Sequence, residues 1–247
     1  MAWEPPSTFE EKLKYSLIPG SLYIRYRVWK ELRRGERELA LVPFLVDPVR
    51  AALDVGANKG VWTWMLAQHC RQVFALEPNP KPFRVLQRCK PQNAEAWQVA
   101  ASNATGTAEL RIPLGRKGYS NQGGSLNAAK VGASYGSVSV PAKRLDDCGL
   151  PPVGFIKIDV EGFEAEVLAG AADLIRRDRP VLVIEMEEAH TRKPIETMVA
   201  EVEALGYAAY ALRKGQLTHF ARLDPETNHR APPSRADYVF NFIFLPL

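Results

Sequence analysis

The chemistry in this chain begins where an apolar run gives way to glycines. Ala51-Ala52-Leu53-Asp54-Val55 carries one acid and breaks into Gly56-Ala57-Asn58-Lys59-Gly60. An apolar, helix-like stretch then runs from Val61 to Cys70. This pattern predicts strand, tight turn, helix. Glycines at such a turn let the backbone approach a ligand, and the helix start adds free N–H groups and partial positive charge. Seventeen residues after Gly60, a second apolar run, Val73-Phe74-Ala75-Leu76, ends in Glu77. An acid at that place holds ribose hydroxyls. Together the two stretches predict a nucleoside-containing cofactor.

The kind of cofactor follows from how the turn departs from a dinucleotide fingerprint. G-x-G-x-x-G needs glycine where this chain has Asn58 and Val61. Asn58 would crowd a pyrophosphate, and Asp54 would repel it. S-adenosylmethionine has no phosphate; it has an ammonium and a sulfonium, charges that suit an acid at the end of the first strand. S-adenosylmethionine is therefore expected rather than NAD.

A second cluster lies in Phe155-Ile156-Lys157-Ile158-Asp159-Val160-Glu161-Gly162-Phe163-Glu164. Charges seldom occupy a parallel sheet unless they are paired or act on a ligand. Lys157, Asp159, Glu161 and Glu164 at a strand's carboxyl end thus read as a site. Glu164 also fits as a first-turn acid of the following helix. The strand Pro180 to Glu188 ends in acids too, among them Glu185 and Glu187, and His190 follows.

These groups need elements to position them. From Val49 the chain alternates strand and helix, with further strands at 96–100, 109–112, 155–158, 180–188 and 208–212. Residues 216–220 read as a hairpin partner, and Tyr238–Leu245 as a last strand inserted antiparallel. This order favours a doubly wound α/β sheet. Ser102 lies where the third strand ends, outside the carboxyl edge, where an adenine edge is expected. Residues 113–138 are glycine-rich and polar and read as a flap over the substrate.

Residues 1–47 precede this domain of 48–247. They read as three helices, Phe9–Leu17, Leu22–Arg34 and Glu36–Val46. Arg25, Arg27, Lys30, Arg33, Arg34 and Arg37 make them basic. The expectation is a helical arm that lids the cofactor pocket. The alternatives are contact with an acidic substrate or a membrane surface, or a homodimer arm.

Composition sets outer bounds. The chain has 247 residues, 46% hydrophobic, and a net charge of +4. That is enough apolar material for a large core, and too mild a charge to argue by itself for nucleic acid or a membrane. Cys70, Cys89 and Cys148 are odd in number and widely spaced. They read as buried thiols of a reducing compartment. No stretch is long enough to span a bilayer and the start is no signal peptide, so a cytoplasmic protein is expected.

At Asp54-Val-Gly56-Ala-Asn58-Lys-Gly60, Glu77-Pro-Asn79 and Lys157-Ile-Asp159-Val-Glu161-Gly162-Phe-Glu164, the chain resembles the FkbM family of S-adenosylmethionine-dependent methyltransferases. The likeness extends through Asn121-Gln-Gly-Gly-Ser125-Leu126 and Val167-Leu168-Ala-Gly170 to Ile184-Glu185 and Asn241-Phe-Ile-Phe-Leu-Pro246. It covers roughly residues 40 to 246. The resemblance implies a class I, Rossmann-like, mostly parallel sheet of seven strands with helices on both faces. It also implies methyl transfer to oxygen, mostly hydroxyls of sugars, polyketides and other secondary metabolites.

On that basis the cofactor is expected to touch Asp54, Gly56, Ala57, Asn58, Gly60, Glu77, Asn79, Ser102 and Asp159. Glu77 should accept from the ribose hydroxyls, and Asp159 should face the cofactor ammonium or the reacting hydroxyl. The expected base is Asp159, Glu161 or Glu185, with His190 behind them and Lys157 orienting one acid. No metal is assigned. A Mg²⁺ ion held by Asp159 with Glu185 or Glu187 is the alternative, since hard cations take carboxylate oxygens. The expected partner is a small-molecule or glycoside hydroxyl. Other acceptors (nitrogen, carboxylate, protein) and a non-catalytic binding module are the rival readings.

Overall fold

The computed structural model describes residues 4–115, 118–120, 124–127 and 134–247. Within the expected flap, residues 116–117, 121–123 and 128–133 lie outside the described residues, and with them Asn121, Gln122 and Gly123.

The N-terminal arm opens with α1 (Phe9–Leu17). Its cap is reciprocal: the Thr8 hydroxyl accepts from Glu11 N–H, and Glu11 accepts from Thr8 N–H. Pro19 separates it from α2 (Gly20–Arg34). The expected third helix, Glu36–Val46, is a correction. It divides into a 3₁₀ turn, Arg37–Leu41, and the single turn α3 (Val42–Leu45). Pro43 has no N–H to give the Leu39 carbonyl, so a continuous α-helix cannot form there.

The first half of the core is β1 (Ala51–Val55), α4 (Val61–Ala67), β2 (Gln72–Leu76), α5 (Pro80–Cys89) and β3 (Ala94–Trp97). A smaller sheet interrupts it: β4 (Ala100–Ala101), β5 (Gly106–Gly115), β6 (Gly118–Tyr119) and β7 (Tyr135–Lys143). The second half is β8 (Val153–Ile158), α6 (Glu164–Ala169), α7 (Ala172–Asp178), β9 (Val181–Glu185), α8 (Glu188–Thr191), α9 (Ile195–Glu203), β10 (Tyr207–Arg213), β11 (Gln216–His219) and β12 (Asn241–Pro246).

The main sheet runs β11-β10-β12-β9-β8-β1-β2-β3. Strands β3, β2, β1, β8 and β9 are parallel, and β12 enters antiparallel between β9 and β10. The class is as expected, with eight strands instead of seven. The added strand is the β11 hairpin, which Lys214 (φ 48) and Gly215 (φ 80) make by turning left-handed in succession. β1 and β8 are buried along their whole length, as strands covered on both faces must be. One face carries Leu53, Val55, Ile156, Ile158 and Leu182 against α6, α7 and α9. The other carries Ala52, Val73 and Phe155 against α4 and the arm's Tyr23, Ile24 and Val28. Among the described residues no helix is long and apolar enough to cross a membrane.

The flap is corrected at its edges. β5 and β7 pair antiparallel from Gly106↔Ala142 to Pro113↔Tyr135, so both ends of the 113–138 stretch belong to strands. Val138, Val140 and Ala142 alternate inward, and Val138 and Val140 pack with Leu110 and Ile112.

Candidate functional site

β1 has β2 on one side and β8 on the other. The chain therefore leaves these strands in opposite directions and opens a crevice at their carboxyl ends. A cavity of about 280 Å³ occupies that crevice. Gly56, Asn58, Glu77, Asn79, Asp159, Glu161 and Glu185, all expected from sequence, line it.

The floor is the turn after β1. Gly56 has φ 83, and a Cβ there would lie 1.7 Å from the Asp159 carbonyl oxygen, so only glycine fits. Gly56 and Ala57 both donate N–H to the Leu76 carbonyl at 2.9 Å. Asn58 follows at φ 49, a left-handed position that asparagine tolerates. Its N–H donates to Glu77 at 2.7 Å. The other Glu77 oxygen accepts from Asn79 N–H at 2.8 Å. Each carboxylate oxygen keeps a lone pair. Burial pushes the Glu77 carboxyl up to about 8, against the pull of these two amides.

The opposite wall is acidic. Glu36 from the arm, Asp159 and Glu185 bring carboxylate oxygens within 4.8 Å of one another. Lys157 lies beside them, fully buried, donating to the Asn241 side-chain oxygen at 3.1 Å and 5.5 Å from the Trp62 ring centre. Burial works against its charge, but Asp159, Glu36, Glu185 and Asp54 outweigh it and hold the ammonium above its ordinary pKa. Glu185 is raised by burial and then by Asp159. Glu36 is fixed by Trp62 N–H at 2.9 Å and by the Asn241 amide at 3.1 Å. The sequence reading missed Glu36. It precedes the motifs and reaches the site only because α2 folds back on α4.

A smaller recess of about 80 Å³ shares Glu36, Gly56, Asn58 and Asp159 with the cavity and adds Arg27, Ala57, Lys59 and Trp62. Arg27 Nε is buried there and has no hydrogen-bond partner among the described residues. Lys59 is pushed down to about 8, by burial first and then by Arg27. Arg27 and Lys59 thus crowd the recess beside the turn, with Lys157 and the acids Glu31, Glu36, Asp54 and Asp159 also on its wall. Arg27 was visible in the sequence only as one basic residue of the arm.

Several expected residues stand elsewhere. Asp54 and Lys157 border the recess and not the main cavity. Asp54 faces α4, where Thr63 Oγ1 donates to it at 2.5 Å. Gly60 caps α4 at φ 87 outside both hollows. Ser102 is buried behind the wall, its carbonyl oxygen against Gly170, while Ala100 and Ala101 face the cavity. Glu187 is off the wall and accepts from the Tyr238 hydroxyl. His190 does not line the cavity; its Nε2 lies 3.5 Å from Glu161 Oε2.

Glu161 itself is held from outside. It adopts φ 59, followed by Gly162 at φ 91. The Ser125 hydroxyl donates to the Glu161 carbonyl at 2.7 Å. The Asn127 amide donates to the Gly162 and His190 carbonyls, each at 3.1 Å. Ser125 is tied in turn to Arg111 of β5 by paired backbone bonds of 3.0 Å. The small sheet therefore clasps the acidic corner.

Residues 54–209 match the Methyltransferase FkbM domain family. A stretch of 160 residues is 28% identical to 2-O-methyltransferase NoeI of Sinorhizobium fredii. That stretch is 56% of this chain and 64% of that relative, so the chain spans under two thirds of its length. Among solved structures, the fold is similar to the FkbM methyltransferase of Methylobacillus flagellatus KT: TM-score 0.50, 15% identity, over 92% of this chain and 55% of that one. A TehB-like methyltransferase of Corynebacterium glutamicum aligns at TM-score 0.48 and 12% identity, over 92% and 98% of the two chains.

Proposed function

The chain belongs to the FkbM methyltransferase family, and on that premise we propose that it moves the methyl group of S-adenosylmethionine to a hydroxyl of a sugar-bearing or other small-molecule acceptor. The observation that carries this reading is Glu77. Its two oxygens are each fixed by a backbone amide and each keep a lone pair at the cavity, an arrangement made for a vicinal diol. The ribose of the donor supplies that diol. The recess extends the reading. Its Arg27 and Lys59 suit the donor's carboxylate, and the adjoining Asp159 and Glu36 suit its ammonium. The arm then acts as a lid over the amino-acid half.

When bound, the donor supplies an electrophilic methyl carbon on a positively charged sulfur. The chain must hold the acceptor oxygen in line with that carbon and take its proton. Glu185 takes that role: its raised proton affinity makes it a better base than an ordinary carboxylate, and it faces the cavity. Glu185 would take the hydroxyl proton as the methyl carbon passes from the donor's sulfur to the acceptor oxygen, the S–C bond breaking to leave S-adenosylhomocysteine. Glu161, backed by His190 and clasped by Ser125, accepts a second hydroxyl of the acceptor and orients it.

Three carboxylates at this spacing could also take Mg²⁺. Lys157 favours the reading without metal, because its ammonium already lies among those acids and draws its raised pKa from them. The relative named a 2-O-methyltransferase supports a sugar hydroxyl as acceptor. A labelled-donor assay against a glycoside panel tests the proposal. Label should appear on glycoside oxygen. Failure of the protein to bind S-adenosylhomocysteine in calorimetry would overturn the donor, and label found only on nitrogen or carboxylate would overturn the acceptor.

A further inference from the structure

Helix α2 carries apolar residues on two opposite faces. The inner set, Tyr23, Ile24 and Val28, is buried in the core. The outer set is Leu22, Tyr26 and Trp29, spaced i, i+4, i+7 and 58%, 59% and 49% exposed. α1 repeats the pattern, with Phe9, Leu13 and Leu17 open on its solvent side at i, i+4, i+8. An amphipathic helix needs one apolar face to dock on its own protein. A second, solvent-facing one of this size marks a contact with something else.

Charge says what that is. α2 holds Arg25, Arg27, Lys30, Arg33 and Arg34 against the single acid Glu31, a net of +4 and equal to that of the whole chain. Arg25, Lys30, Arg33 and Arg34 are exposed beside the outer apolar set. The Arg33 guanidinium stacks 4.6 Å from the Trp29 ring centre, and the Tyr26 and Trp29 rings stack at 6.0 Å. A two-fold copy on this face would set these four cations against their own equivalents, with no exposed acid on α2 and, among the described side chains, only Glu10 exposed on α1 to meet them. An anionic surface meets them all. Tyr and Trp beside Lys and Arg also suit the headgroup level of a bilayer.

We propose that the outer face of α2, extended by α1, docks the protein on an anionic phospholipid surface. Leu22, Tyr26 and Trp29 enter the boundary between headgroups and acyl chains, and the four exposed cations lie on the lipid phosphates. Docking and the cofactor lid then share one helix, since Arg27 on its inner side faces the recess.

The full chain is sedimented with vesicles of phosphatidylcholine alone and of an equal phosphatidylcholine–phosphatidylglycerol mixture. It should pellet with the mixture and not with the neutral lipid, and binding should fall about tenfold or more between about 0.1 and 0.5 M NaCl. Leu22→Ser with Trp29→Ser should abolish pelleting while the melting temperature and S-adenosylhomocysteine affinity stay as in the parent. No pelleting with the anionic mixture, or pelleting untouched by the double substitution, overturns the proposal. So does a parent dimer in analytical ultracentrifugation that the substitutions turn into monomer, which would give this face to a second copy.

Discussion

Glu77 accepts the backbone N–H of Asn58 at 2.7 Å, so the acid that follows β2 is fastened to the turn that follows β1. The proposed diol seat and the proposed cofactor floor are thus one unit. Glu77→Ala should weaken S-adenosylhomocysteine binding by about 1–3 kcal/mol, the range for losing charge-assisted hydrogen bonds. Titration calorimetry reads this directly, and unchanged affinity would remove Glu77 from the site.

The recess makes a separable prediction. Arg27→Ala or Lys59→Met should cost S-adenosylhomocysteine about 1.5–3 kcal/mol, as for hydrogen bonds to a charged group. Neither should change the affinity of 5′-methylthioadenosine, which has the same nucleoside and no carboxylate. Equal losses for both ligands would show that the arm only props the fold.

A base with raised proton affinity leaves a mark on the pH profile. Burial and Asp159 raise Glu185, so it is protonated and idle at low pH and becomes a base as pH rises. The rate should climb through a midpoint above the ordinary glutamate value of about 4.3. Glu185→Gln should cut kcat by on the order of 10²–10⁴ and flatten the climb, with donor affinity little changed. A Gln variant that keeps the profile would move the role to Glu161 or Asp159.

Lys157 as counter-charge predicts that methyl transfer survives EDTA. Lys157→Met should then damage activity in a way that added Mg²⁺ does not repair. Loss of activity in EDTA with recovery on Mg²⁺ would give Glu36, Asp159 and Glu185 to a metal.

Asp54 bears on stability. Burial pushes its carboxyl up to about 6 from 3.8. A raised folded-state value means the native state holds the proton longer, so this stabilisation is complete below about pH 4 and lost as pH rises through 6. Asp54→Asn keeps an oxygen for Thr63 and removes the titration. Between pH 4 and 7 the parent should lose on the order of 2–3 kcal/mol relative to the variant, from about 1.4 kcal/mol per pKa unit. Urea midpoints of the two proteins check this, and parallel curves would sink it.

The same residue shows how far the sequence could be read. The glycine break and the acid after β2 were legible because they interrupt apolar runs at the spacing of a strand–turn–helix unit. The direction of Asp54 follows the period of two along β1: Leu53 and Val55 share the face beneath α6 and α7, which turns Asp54 toward α4 and Thr63. A third strand running to residue 100 would set Ser102 at its carboxyl end. That strand ends at Trp97, and Ala100–Ala101 pairs with β7 instead. Arg27 and Glu36 could not be found locally. Each is an ordinary charged residue of a basic arm, and only long-range packing of α2 on the sheet brings them to the recess and the acidic wall.

The contact between Gly56 and the Asp159 carbonyl has a reach beyond the donor. Two corners of the sheet meet there with no room for one more carbon. Retuning this chain for a different acceptor must therefore leave that joint alone. On the proposed function, the room to change lies in Ser125 and Asn127, which hold Glu161 and Gly162 from outside the turn after β1.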